Sequence, residues 1–175
     1  MQLNLQSERL FIRTLTIIDA GFMLQLMNSP NWIKNIGDRR VTNKTEASNY
    51  ILNKIIPSYK KNGFGLFLVC LKEHKKPIGI CGILQREGLN TPDLGFAIIP
   101  AMEGQGFATE ASKVVIQFAR EELNLSTLAG ITKPNNIASI SVLKKLGMQF
   151  EQSIQLPEDP NTFSLYTMVL HKATL

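Results

Sequence analysis

The segment that limits this chain's fold most is Asp93-Leu94-Gly95-Phe96-Ala97-Ile98-Ile99-Pro100-Ala101-Met102-Glu103-Gly104-Gln105-Gly106-Phe107-Ala108-Thr109-Glu110-Ala111. An apolar strand ends at Pro100, two alternating glycines follow, and a helix begins at once. The first amides of a helix have no internal partner and point outwards. The helix dipole adds partial positive charge there. Glycine lets the backbone approach phosphate oxygens with no Cβ in the way. A P-loop would need a Gly-Lys-Ser/Thr end, which is absent. A dinucleotide fingerprint would need a third glycine where Thr109 stands. On spacing alone, a glycine-containing turn that binds nothing remains the alternative.

The flanking pattern predicts one mixed α/β (α+β) domain over residues 1–175. Glu8–Leu15 alternates as a strand. A helix follows from Thr16, with Ile17, Ala20, Met23, Leu24 and Met27 on one face, and Asn28-Ser29-Pro30 stops it. Residues 31–41 read as irregular. Asn43 with Glu46 looks like a helix cap, Thr42 being the alternative. That helix runs towards Lys61, disturbed at Pro57, and ends at Asn62-Gly63. Strands are expected at Phe64–Leu71, Ile78–Gln85 and Asp93–Ile99, the last two as an antiparallel hairpin. A long helix over Gly104–Leu123 turns Ala108, Ala111, Val115, Phe118 and Ala119 inwards. Ser126–Ile131 is a strand, Asn136–Leu146 a helix ended by Gly147, and Met148–Gln155 and Phe163–His171 a final pair joined at Pro157-Glu158-Asp159-Pro160. This gives a mixed, largely antiparallel sheet of about seven strands with about four helices on its faces.

A second polar cluster, Lys133-Pro134-Asn135-Asn136-Ile137-Ala138-Ser139, also leaves a strand and opens a helix. Asn135 or Asn136 can cap that helix; alternatively, an amide bonds an extended ligand lying between the two helix starts. The formal net charge of +5 suits an anionic ligand. The basic residues are scattered in pairs such as Arg39-Arg40 and Lys144-Lys145, which argues against nucleic acid. No apolar run has membrane-spanning length, and Met1-Gln2-Leu3-Asn4-Leu5-Gln6 does not read as a secretory leader. Cys70 and Cys81 lie in apolar strands and read as buried thiols of a cytoplasmic protein. His74 and His171 read as surface residues, and no metal site is expected.

Together these segments resemble the GNAT superfamily of N-acetyltransferases, nearest to its RimJ/RimL-like branch, over almost the whole chain. The resemblance rests on Ser7-Glu8-Arg9-Leu10-Phe11-Ile12-Arg13 with Asp19-Ala20, on Pro77-Ile78-Gly79-Ile80-Cys81-Gly82 and Gly95-Phe96, on Gly104 through Ala111, and on Asn136-Ile137-Ala138-Ser139 with Lys145-Leu146-Gly147-Met148. It implies an acetyl-CoA co-substrate and no metal. The amides of Gly104, Gln105, Gly106, Phe107 and Ala108 would hold the pyrophosphate, with the Thr109 hydroxyl beside them. Phe96, Ala97, Ile98 and Ile99 would pair with the pantetheine arm, and Asn136 and Ser139 would touch it. The family motif begins with Gln or Arg where this chain has Ala101.

The resemblance also implies direct attack by an amine, with the oxyanion met by a main-chain N–H near Ile98. Many relatives carry an acidic tyrosine where Leu143 stands here; Ser139 is the substitute that the branch suggests, and Tyr166 a weaker one. Asp93, Glu87 and Glu151 are the candidates for the base. Glu110 reads as structural, favourable to the helix dipole. Trp32, Ile36, Asp38 and Arg39, with Glu87, would line the acceptor side, though Trp32 can equally be packing. The acceptor would be a small-molecule amine or a peptide or protein N-terminus, and the protein a monomer or homodimer with no nucleic-acid or membrane partner. The competing reading is a non-catalytic acyl-CoA sensor of the same fold.

Overall fold

A computed structural model describes residues 3–157 and 159–171. Its frame is a sheet of eight strands: β1 (Asn4–Gln6), β2 (Leu10–Thr14), β3 (Leu66–Leu71), β4 (Pro77–Leu84), β5 (Asp93–Ile98), β6 (Thr127–Thr132), β7 (Gln149–Gln155) and β8 (Thr162–Val169). They lie in the order β1-β2-β3-β4-β5-β6-β8-β7. Every neighbouring pair is antiparallel except β5 with β6. The strand beyond the expected seven is β1, whose three residues are too few to show an alternation and which is held by its pairing with β2.

The helices are α1 (Ala20–Met27), α2 (Pro30–Asn35), α3 (Lys44–Tyr50), α4 (Ile56–Asn62), α5 (Phe107–Glu121) and α6 (Ile137–Lys145). A π-helical stretch, Ile51–Ile55, joins α3 to α4 as one interrupted rod. Pro57 cannot donate to a carbonyl four residues back, and the wider turn just before it accommodates that loss. Asn43 caps α3 as expected, its Oδ1 accepting from the Glu46 N–H at 3.0 Å.

Two readings of the N-terminal region need correction. The segment read as irregular contains α2: a proline stops a preceding helix but is also at home in the first turn of the next, where its missing N–H is not needed. Ile17 is not on the buried face of α1. It lies in a 3-10 turn, Ile17–Asp19, and is 52% exposed. That turn is fixed by polar contacts instead. Arg13 grips Asp19 with two hydrogen bonds of 2.7 and 2.8 Å, and the Thr16 N–H donates to the same carboxylate at 2.9 Å.

Four consecutive residues of β3 and six of β4 are buried, so both faces of the sheet centre are covered. On one face α5 lays Ala111, Ser112, Val115, Phe118 and Ala119 against the sheet. Phe118 meets Phe67 edge to face at 5.9 Å, and Ser112 Oγ lies 3.6 Å from Cys81 Sγ. Burial of this stripe fixes α5, and so fixes where its first turn points. Among the described residues no helix is long and apolar enough to cross a membrane.

Candidate functional site

Among the described residues the one parallel pair of the sheet is also its weakest seam. β5 and β6 share a single register pair, Asp93 with Ala129, and beyond it no pairing joins them. The free edge of β5 follows from the ladder with β4. Ile99 donates to the Ile78 carbonyl at 2.9 Å, in register with the pair Gly79–Ile98. Hydrogen-bonded and non-bonded pairs alternate in such a ladder. Asp93, Gly95 and Ala97 therefore give their main-chain groups to β4, while Phe96 and Ile98 present theirs to the opening towards β6. Of the four residues expected to pair with an extended ligand, Phe96 and Ile98 have that edge free. Ala97 and Ile99 use theirs within the sheet.

Past this edge a 3-10 turn, Pro100–Met102, leads into Gly104 and Gly106. Both glycines are left-handed, with φ of 73° and 83°, and Gly106 is the N-cap of α5. No side chain caps that end. Among the described residues the amides of Gly104, Gln105, Gly106, Phe107, Ala108 and Thr109 meet no side-chain acceptor. The first carbonyl taken up by a helical N–H is that of Gly106, by the Glu110 N–H at 3.0 Å. The front of this fifteen-residue helix thus presents unfilled N–H donors together with the positive end of the helix dipole.

The opposite lip is the start of α6. Asn136 caps it: the Ser139 N–H donates to Asn136 Oδ1 at 3.2 Å, and Asn136 Nδ2 donates to Ser139 Oγ at 2.9 Å. The first bond fixes which end of the amide is oxygen. The second makes the Ser139 hydroxyl an acceptor, which leaves its own proton free to donate elsewhere. Of Asn135 and Asn136, the two caps that the sequence offers, Asn136 is the one that caps α6.

The remaining candidates separate. Asp93 is 1% exposed, and Arg86 Nε donates to its carboxylate at 2.9 and 3.0 Å. Burial pushes its carboxyl above the usual range, offset in part by Arg86. It sits at the one pairing that closes the β5–β6 opening. Glu87 and Glu151 are exposed, Glu151 at an irregularity between Phe150 and Gln152 on β7. Tyr166 is buried opposite Gly130, with Phe150 edge to face at 5.7 Å. Leu143, where the resemblance implies a tyrosine, is buried. Burial pushes the Cys81 thiol up to about 12 and raises that of Cys70, which disfavours the reactive thiolate at both. Among the described residues no cluster of His, Cys, Asp or Glu could hold a metal ion.

α2 and the loop after it carry Trp32, Asp38 and Arg39, and Glu87 lies in the β4–β5 loop. α2 spans between the two lips: Asn31 Nδ2 donates to Glu103 Oε2 at 2.7 Å, and Lys133 Nζ donates to the Lys34 carbonyl at 2.7 Å. Trp32, between these ties, is 4% exposed, and its indole N–H has no partner among the described residues. Asp38 accepts from the Arg40 N–H at 2.7 Å in the loop that follows. Asp159 has Lys133 and Arg39 as charged neighbours, and its carboxyl is held below the usual range first by the Asn161 N–H. The loop next to Glu87 closes on the β7–β8 loop, where a Cβ on Gly88 would stand 2.5 Å from Pro157. Asn31, Lys34 and Lys133 were not expected in this role. They are scattered polar residues whose meeting depends on tertiary structure alone.

The sequence profile described as "Acetyltransferase (GNAT) domain" matches residues 9–149. An uncharacterised N-acetyltransferase of Bacillus subtilis (strain 168), YnaD, is 26% identical over 149 residues, which is 85% of this chain and 84% of that protein. The crystal structure of an acetyltransferase from Agrobacterium tumefaciens superposes with a TM-score of 0.80 at 25% identity, covering 95% of this chain and 94% of the other. The ribosomal-protein α-N-acetyltransferase RimL, in complex with coenzyme A, shares the fold at a TM-score of 0.82 and 15% identity, covering 96% of this chain and 98% of that one.

Proposed function

The chain belongs to the GNAT acetyltransferase family, and from that membership we propose that it moves an acetyl group from acetyl-CoA directly onto a primary amine, at a peptide N-terminus or on a small molecule. The observation that supports this reading is the pair of free main-chain stretches, the β5 edge at Phe96 and Ile98 and the uncapped amides of Gly104 through Thr109, joined by one short turn. It has the shape of an extended arm ending in a diphosphate.

Acetyl-CoA supplies the activated acyl group as a thioester. The amides of Gly104, Gln105, Gly106, Phe107 and Ala108, with the Thr109 hydroxyl, hold the diphosphate. The edge of Phe96 and Ile98 aligns the arm as an added strand, and Asn136 flanks it from α6. The Ile98 N–H meets the oxygen that becomes negative as the amine attacks. The Ser139 hydroxyl, already accepting from Asn136, gives its proton to the leaving thiolate and takes one back from water, and Tyr166 is the reserve donor. The Asp93 carboxylate, engaged by Arg86, keeps the opening hinged at its closed end. The amine proton passes to water and to the exposed carboxylates Glu87 and Glu151. Trp32, Asp38 and Arg39 receive the acceptor at the rim. Free thiols and a nucleotide co-substrate both suit the cytoplasm.

The second reading, a binding module without turnover, is favoured by Leu143 in place of the tyrosine. Thiol release from acetyl-CoA against a panel of peptides and small amines separates the two. Acceptor-dependent release is expected. Tight CoA binding with no release under any acceptor would establish the sensor instead.

A further inference from the structure

Arg9 reaches the glycine turn from the far end of the sequence. It precedes β2, yet its Nε donates to Glu110 Oε2 at 2.7 Å and its Nη2 lies 2.6 Å from the same oxygen. Nη2 also donates to the Gln105 carbonyl at 3.2 Å. The guanidinium carbon stands 4.3 Å from the centre of the Phe107 ring. Glu110 is held from its other side by the Arg9 N–H at 2.9 Å and the Ser7 hydroxyl at 2.6 Å. Burial pushes the Glu110 carboxyl up, but these donors outweigh it and hold it below its usual range. Three consecutive residues of the turn, Gln105, Gly106 and Phe107, thus lie against one side chain. A Cβ on Gly106 would find Arg9 Nη2 as its neighbour at 3.6 Å.

We infer that Arg9 is a positioning residue for the phosphate-binding turn, acting by fixing the peptide plane between Gln105 and Gly106. This rests on the reading of that turn as the diphosphate site. In a trans peptide the carbonyl and the following N–H point in opposite directions. Arg9 holds the Gln105 oxygen on the side of the N-terminal strands, which turns the Gly106 N–H the other way, towards the anion. With both glycines free to rotate, that plane has no other side-chain anchor among the described residues. Arg9 also neutralises Glu110, whose charge one turn into α5 would otherwise oppose a phosphate. Ala101 offers no side chain for either task, so the anchoring comes from a residue about a hundred positions away.

Calorimetry on the full chain tests this with acetyl-CoA, 3′-dephospho-CoA and S-acetylpantetheine, the last lacking phosphate. Arg9→Ala is expected to weaken both diphosphate ligands by about tenfold or more, the scale of one charge-assisted hydrogen bond. Binding of S-acetylpantetheine, read by competition at millimolar concentration, stays as in the wild type. Millimolar methylguanidinium should restore part of the loss. Equal affinity of Arg9→Ala and wild type for acetyl-CoA, or an equal loss for all three ligands with a lowered Tm, would overturn the inference. If Arg9→Ala does not fold, Arg9→Lys carries the same comparison, since it keeps a charge but cannot fork onto Glu110 and Gln105 together. A wild type that binds none of the CoA ligands would instead remove the reading of the turn.

Discussion

The two sides of the cleft are made of different material. The β5–α5 side is built from main chain: an unpaired strand edge and uncapped amides, braced from behind by Arg9 and Glu110. The rim at α2 is built from side chains: Asn31 on Glu103, Lys133 on the Lys34 carbonyl, and the charges of Arg39 and Asp159. Under the proposed function the backbone donors would recognise what every CoA ester shares, and the side chains what differs between acceptors. A fixed co-substrate grip can therefore be kept while the rim is rewritten.

Substitutions can pull these sides apart. Gly106→Val asks a β-branched residue to hold a φ of 83°, at a strain of roughly 1–2 kcal/mol. The uncapped amides would be dispersed with it. Acetyl-CoA affinity should fall by roughly 100-fold, equivalent to about 2.7 kcal/mol, while Tm drops by only a few degrees. Loss of affinity and stability in equal measure would mean that the glycine serves the turn alone. Ser139→Ala should lower turnover by about tenfold, below the usual span for acid catalysis because a thiolate can leave with a solvent proton. Its CoA affinity should stay near wild type, and unchanged turnover would take Ser139 out of the chemistry.

The rim should answer more gently. Trp32→Phe deletes the unpartnered indole N–H and keeps an aromatic body, so KM for the acceptor should rise by about three- to tenfold, the scale of one hydrogen bond. CoA affinity should not move. A fall in Tm with KM unchanged would make Trp32 packing only.

The smallest effect expected is on acid stability. Burial pushes the Asp19 carboxyl up, but Arg13 and the Thr16 N–H outweigh it and hold it below its usual range. A depressed carboxyl stabilises the fold fully above its unfolded value, about 3.9, and that contribution is lost as pH falls through the lower folded value. Glu110 has the same sign. Melts from pH 7 to pH 3 should therefore show Tm falling in the acid range, and Asp19→Asn should flatten that fall. An unchanged slope in Asp19→Asn would place the acid sensitivity elsewhere.

The same contrast explains what could be read from the sequence. The glycine turn, the α5 stripe and the hairpin of β4 and β5 are local patterns, and they stand in the structure within a few residues of where periodicity put them. Asn136 was legible because a cap is a local event. α2 was missed because Pro30 serves two helices at once. β1 was missed because a three-residue strand exists only through its partner. Arg9 lies in a segment whose one signal is the family resemblance, and nothing local says that it reaches Gln105. The alternation that frees Phe96 and Ile98 but not Ala97 and Ile99 needs the register with β4. The ties of α2 to both lips need the whole fold.

Amide NMR offers the most direct test of the main-chain grip. In a titration of isotopically labelled protein with acetyl-CoA, the N–H resonances of Gly104, Gln105, Gly106, Phe107 and Ala108 should show the largest shifts, saturating together with the calorimetric isotherm. Saturable binding that leaves those five resonances in place would contradict the account.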